Sequence, residues 1–254
     1  MADADVANQT AIRALDRLFL QTERWKDLAT VLEREADIAE AGDEVIVFRF
    51  RLGQVLETRL KDLDGAILAY KDVLAAAPEH EPTLHALEAL FASGTKQLEV
   101  AEILEPLYRQ AGEFEKLSRV YEAQLAHVQA PEDRLAAYYR IAELEEERLI
   151  DPLATLNTYI RVLKEFPLDD KAGEEAPRLA RTVDGGWETL ANAYADVLGL
   201  QPDPAVQAVI GKRLAKTFED ELGDVAKAEE TYKYVLGIDP LDSEALANLD
   251  RIYL

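Results

Sequence analysis

Along residues 11–32 the apolar positions Ile12, Leu15, Leu18 and Phe19 recur at steps of three and four. After a break at Thr22-Glu23-Arg24, Leu28, Val31 and Leu32 take up the same step. That period puts each set on one helix face, so the segment predicts two helices joined by a tight turn. Strand-type alternation of apolar and polar positions occurs nowhere in the chain. Turn and stop signals follow at short intervals, among them Gly42-Asp43, Lys61-Asp62, Ala77-Pro78, Ser93-Gly94, Ala111-Gly112, Asp151-Pro152, Phe166-Pro167, Gly223-Asp224 and Asp239-Pro240. Proline stops a helix, and Asp or Ser supplies the next N-cap, as Asp242-Ser243 does ahead of Ala245-Leu246. The spacing predicts about fourteen helices of roughly three to five turns, antiparallel through short loops.

The pattern repeats itself without gaps. A shift of 89 residues carries Trp25 onto Phe114, Leu52 onto Ile141, Tyr70 onto Tyr159 and Pro78 onto Pro167. A further shift of 73 carries Phe114 onto Trp187, Tyr121 onto Tyr194, Tyr159 onto Tyr232 and Pro167 onto Pro240. Fixed offsets of this kind are the mark of stacked repeats. We read one domain over 1–254, with super-repeats at 9–78, 98–167 and 171–240, an extra helical segment at 81–97 and a partial repeat at 242–254. The two offsets differ by about one helix and a turn, and the surplus lies around Glu81 to Gln97. A full helix there would exchange the two helix rows beyond it.

Three hairpins carry the residues of a known family. They read Leu52, Gly53, Leu56, then Ala66, Tyr70, Val73, Pro78; Ile141, Ala142, then Thr155, Tyr159, Val162, Pro167; and Leu214, Ala215, Phe218, then Ala228, Tyr232, Val235, Pro240. This resembles the tetratricopeptide repeat, with Glu145 departing at the aromatic position and one residue more than the family spacing between the helices. The small residues let two helices approach, and Tyr and Leu fill the grooves. The resemblance implies an all-α fold, a right-handed α/α superhelix or solenoid of antiparallel hairpins, in a divergent, bacterial-type form.

Composition narrows the chemistry. The chain has 254 residues, 50 acidic and 28 basic side chains, a net charge of -22 and no cysteine. Disulfides and thiolate chemistry are excluded. Nucleic acid and anionic membrane would be repelled within about 8 Å at physiological salt, whereas a basic protein partner would be attracted. The start, Met1-Ala2-Asp3-Ala4-Asp5, has neither a basic nor an apolar leader region, and no stretch of 18 apolar residues occurs, so a cytoplasmic chain without membrane insertion is expected.

Near-misses to catalytic and metal motifs fail on spacing. His80 and His85 are five apart with Pro82 between them, which is not a zinc-protease helix. Ser93-Gly94-Thr95-Lys96 lacks the upstream glycine of a phosphate loop, and Asp62-Leu63-Asp64-Gly65 lacks the late glutamate of a calcium loop. The runs at Glu143, Glu145, Glu146, Glu147 and at Glu219, Asp220, Glu221 read as solvated helix faces, and Trp25 and Trp187 as core. No catalytic, cofactor or metal site is expected.

The resemblance implies a partner-binding groove along the first helix of each hairpin. Carried over, its positions fall on Val47, Phe50, Gln54 and Glu57; on Ala136, Tyr139, Glu143 and Glu146; on Val209, Lys212, Lys216 and Glu219; and on Thr10, Arg13, Arg17 and Leu20 of the alternating hairpin. The Lys, Asn and Arg set of the family's carboxylate clamp is missing. The expected function is a non-enzymatic scaffold that binds a protein or peptide, basic in character, through Phe50, Gln54, Glu57, Tyr139, Glu143, Glu146, Lys212 and Lys216. Two alternatives stay open: a self-assembling solenoid that stacks through the apolar C-terminal helix, or a recognition domain of a larger protein.

Overall fold

The computed structural model describes residues 2–39 and 42–254, with side chains from Thr10 onward. Met1, where the reading for a leader begins, lies outside them, as does the side chain of Gln9 at the edge of the first super-repeat. Among the described residues there are fourteen α-helices and no strand: α1 (Ala2–Gln21), α2 (Trp25–Ile38), α3 (Gly42–Val55), α4 (Leu63–Ala76), α5 (Glu81–Ala92), α6 (Gln97–Ala111), α7 (Phe114–His127), α8 (Pro131–Leu144), α9 (Pro152–Glu165), α10 (Asp170–Ala180), α11 (Gly186–Leu200), α12 (Pro204–Lys216), α13 (Val225–Ile238) and α14 (Ser243–Tyr253). The chain is all-α, built from helical hairpins as the repeat pattern predicts. None of the described helices is long and apolar enough to cross a membrane.

The boundaries follow from local chemistry. The carboxylates of Asp62, Asp151, Asp169, Asp203, Asp224 and Asp242 each accept a backbone N–H in the first turn of the next helix, at 2.7 to 3.1 Å. Such caps satisfy donors that have no partner inside the helix. Helices α8, α9 and α12 begin on Pro131, Pro152 and Pro204, where the missing N–H costs nothing.

The residue in excess of the family spacing has a structural expression. Helices α3, α8 and α12 each run on into a single π turn, at Leu56–Leu60, Glu145–Leu149 and Thr217–Glu221. A π turn closes over five residues and absorbs the insertion. Lys61, Ile150 and Gly223 follow in the left-handed region. The N–H of the next residue then closes the end on the carbonyl six back: Asp62 on Leu56, Asp151 on Glu145 and Asp224 on Phe218, at 2.8 to 2.9 Å.

The helices group into two compact units, one ending at Ala123 and the other beginning at Gln124. In the first, the core between α2 and α4 holds Leu28, Leu32 and Ala69, with Leu52 from α3. One row is tied by the two-pronged Arg51–Asp16 pair between α3 and α1 (2.7 and 2.8 Å), by Phe50 edge-on to His80 at the start of α5, and by Lys116 of α7 to Glu88 of α5 (2.9 Å). The other row holds α2, α4 and α6, with Lys96 ahead of α6 paired to Asp64 of α4. The segment 81–97 therefore carries a full helix, α5. Trp25 and Phe114 open helices five apart, and the sequence equivalents α1 and α2 recur as α6 and α7 with their rows exchanged.

In the second unit the row of first helices is α8, α10, α12 and α14, backed by α9, α11 and α13. Tyr232, Ala228 and Val235 of α13 are fully buried against Ala215 of α12 and Ala245 of α14. Phe114 and Trp187 open helices only four apart, because α10 stands alone where the first unit has α5 and α6.

Candidate functional site

The eight candidate residues sit on the first helices, and most of them brace the row in which they lie. On α3, Phe50 is half-buried, with its ring 6.0 Å from Tyr70 and 5.2 Å from His80. One turn on, Gln54 is exposed. Glu57, in the π turn, accepts the hydroxyl proton of Tyr70 at 2.7 Å. Burial, reinforced by this carboxylate, pushes the Tyr70 hydroxyl far above its ordinary range.

In the second unit, Tyr139 of α8 donates to Asp169 Oδ1 at 2.6 Å, and Lys171 Nζ stands 4.4 Å over its ring. Burial first, then Asp169, raise the Tyr139 hydroxyl. Glu143 is exposed. Glu146 accepts from Arg178 of α10 at 2.6 Å, and Arg178 also holds Glu175. These bonds raise the guanidinium further. Tyr159, the repeat equivalent of Tyr70, is pushed up to about 12 by burial, then by Glu175 and Glu146.

On α12, Lys212 pairs with Asp242 (2.9 Å) and Glu244 (3.2 Å) at the start of α14. The Asp242 carboxylate is lowered, first by the Ala245 N–H it caps and then by Lys212. Glu219 holds Arg251 of α14 at 2.9 Å. Lys216 is exposed on the rim of a 220 Å³ hollow beside Trp187, Arg181 and Arg213. Helix α10 lies between α8 and α12: a Cβ on Gly173 would meet the Arg213 guanidinium at 2.8 Å, and Arg213 donates to the Pro167 carbonyl. The α8 and α12 candidates therefore form two separate stripes. Gln54, Glu143 and Lys216 face solvent; Phe50, Glu57, Tyr139, Glu146 and Lys212 are half-buried between helices.

The near-miss motifs have structural places. His80 precedes α5 with Nδ1 2.8 Å from Thr83 Oγ1. Trp25 and Trp187 are half-buried, each under an arginine, Arg59 at 4.6 Å and Arg181 at 5.7 Å. Glu145 is not a solvated member of its acidic run. It is buried, and Thr158 Oγ1 donates to its Oε2 at 2.7 Å. The legible signal was a paired departure from the repeat, since Glu145 and Thr158 stand where the first copy has Leu56 and Ala69.

Residues 102–135, from within α6 through α7 into α8, match the tetratricopeptide repeat family. That stretch carries one tetratricopeptide-like repeat, within a chain that is helical repeats throughout its described residues. Among solved structures, this repeat protein is similar to TTC0263, a thermophilic tetratricopeptide repeat protein of Thermus thermophilus, at 14% identity over 96% of this chain and 98% of that one, with a TM-score of 0.29. It is also similar to a chain of Naa15/Naa10 bound to HypK-THB, at 16% identity over 95% of this chain and 50% of that one, with a TM-score of 0.32. No curated protein matches it.

Proposed function

We propose that this repeat protein is a non-enzymatic scaffold that docks a partner protein or peptide on the first-helix row of its hairpins. The observation that carries the reading is the side-chain ladder of the second unit. Tyr139–Asp169 and Glu146–Arg178 tie α8 to α10, Arg181–Glu221 ties the end of α10 to the π turn after α12, and Lys212–Asp242 and Glu219–Arg251 tie α12 to α14. A row braced in this way presents its outer residues in fixed register, which lowers the ordering cost of docking. Glu143 and Lys216 are the exposed members there; Gln54, exposed on α3, belongs to the row of α1 and α3 that precedes the row exchange. The charge of -22 favours a basic partner.

The test is affinity capture with the whole chain as bait, followed by mass spectrometry of what is retained. A protein held in stoichiometric amount at about 50 mM salt and released at about 500 mM is expected. Retention of nothing beyond the bare matrix contradicts the reading. A second reading, association between copies through α14, draws on the exposure of Leu246 and Tyr253. Light scattering that shows a monomer at all concentrations removes it.

A further inference from the structure

In the first unit the row exchange sets two unlike helices side by side. Helix α4 is a second-type helix and α6 a first-type helix, parallel to one another, with α5 packed against both. At their N-terminal ends Lys96 and Asp64 join them. Beyond that pair an open cleft of about 510 Å³ lies between their facing stripes. The α4 wall presents Leu68, 61% exposed, and the α6 wall presents Ile103, Pro106 and Leu107. Leu107 also lines a wider cleft of about 920 Å³ that continues past the C-terminal ends of both helices. In the second unit the corresponding neighbours α9 and α11 pack directly together, further linked by Lys164 and Asp196 at 2.8 Å.

The electrostatics change along the cleft. The narrow part carries an apolar strip of Leu68, Ile103, Pro106 and Leu107, with Lys71, Glu99 and Glu102 beside it. The wide mouth carries Glu79, Glu81 and Glu113, and the carbonyl ends of α4 and α6 point toward it. Of the two lysines on the walls, Lys116 is already paired with Glu88, which leaves Lys71 against Glu102 and against Glu99, itself 3.7 Å from Lys96.

We infer that this cleft is a docking site for an amphipathic, basic helix of a partner protein. The apolar stripe of that helix lies on Leu68, Ile103 and Leu107, and its Lys or Arg residues lie in the acidic mouth. The walls from Glu99 to Ala111 run for about 18 Å, the length of about twelve residues of helix. A second copy of this chain fits poorly, because its charge of -22 meets an acidic mouth. The inference rests on the scaffold reading and names a partner chemistry and a place for it, away from the residues of the first-helix row.

The test uses a fluorescein-labelled helical Leu/Lys peptide of about four turns, an otherwise identical Leu/Glu peptide, and anisotropy with the whole chain. The Leu/Lys peptide is expected to bind, about tenfold more weakly to Leu68→Asp and to Glu79→Lys/Glu81→Lys/Glu113→Lys, and unchanged to Glu143→Lys. Circular dichroism checks that the variants are folded; Leu68 and the three mouth glutamates are exposed, and Glu79 and Glu113 lie between helices. Equal binding of the Leu/Glu peptide, or equal affinity in Leu68→Asp, overturns the inference. A dimer of the wild type that Leu68→Asp dissolves puts a second copy in the cleft and overturns it too. A captured partner lost on Glu143→Lys but kept by the cleft variants leaves the scaffold reading standing and removes this site.

Discussion

The hydroxyl of Tyr70, on the second helix of its hairpin, donates to Glu57 on the first helix across 2.7 Å. The pair recurs as Tyr232 and Glu219 at 3.3 Å. In the middle copy the carboxylate, Glu146, has turned instead to Arg178. Repeat position puts these glutamates on the groove face; their geometry commits Glu57 and Glu219 to their own hairpins and Glu146 to the next first helix. Tyr70→Phe leaves a half-buried carboxylate short of a donor and is expected to lower stability by about 1–2 kcal/mol in urea denaturation at pH 7. A neutral substitution would return Glu57 to the exposed surface.

Glu145 and Thr158 form a polar version of a contact that the first copy makes with Leu56 and Ala69. Thr158→Val removes a donor from a buried carboxylate and should cost about 1–3 kcal/mol. The double variant Glu145→Leu/Thr158→Ala restores the apolar pair and should recover most of that loss. A double variant less stable than Thr158→Val would contradict this account of the pair.

Ile150 is a β-branched residue at φ 53° and is 79% exposed. Its repeat equivalent Gly223 holds the same left-handed conformation at φ 65° without a Cβ to strain. Ile150→Gly is expected to raise stability by about 1 kcal/mol, because little packing is lost. A destabilised variant in the same denaturation assay would contradict it.

Glu35 is buried at 3% exposure, and neither of its carboxylate oxygens has a hydrogen-bond partner among the described residues. Burial raises its pKa above the ordinary value of 4.5; Asp16 and Glu44 add to the shift, and Arg51 and Arg13 oppose it. A raised native pKa means that the folded state binds the extra proton. Its burden on stability is therefore full above the native value and disappears as pH falls from that value to about 4.5. Glu35→Gln should be more stable than the parent at pH 7, with the gap closing toward pH 4.5. A gap that does not change with pH would show that the carboxylate ionises alike in both states.

Much of the fold was legible because it rests on period and punctuation. The steps of three and four, the Asp caps and the prolines fix where the helices begin and end, and the difference between the offsets of 89 and 73 locates the extra helix α5. What side chains do between helices was less legible. Repeat position places Glu57 and Glu146 on the groove face, but whether a carboxylate there meets solvent depends on the neighbouring tyrosine or on Arg178, 32 residues away from Glu146. The burial of Glu35 depends on the packing of α1 and α3 around α2, which no local spacing records. The cleft between α4 and α6 follows from the odd number of helices, yet only the placed side chains reveal that Leu68 stays uncovered.

The central claim is that the braced first-helix row holds a protein partner through its exposed charges. The most direct measurement is the dissociation constant of the captured partner, purified, on the wild type and on Glu143→Lys, at about 50 and about 500 mM salt. The account predicts weaker binding at high salt and a loss of about tenfold on charge reversal, with helicity unchanged. Affinity that is the same at both salts and in both chains would contradict it.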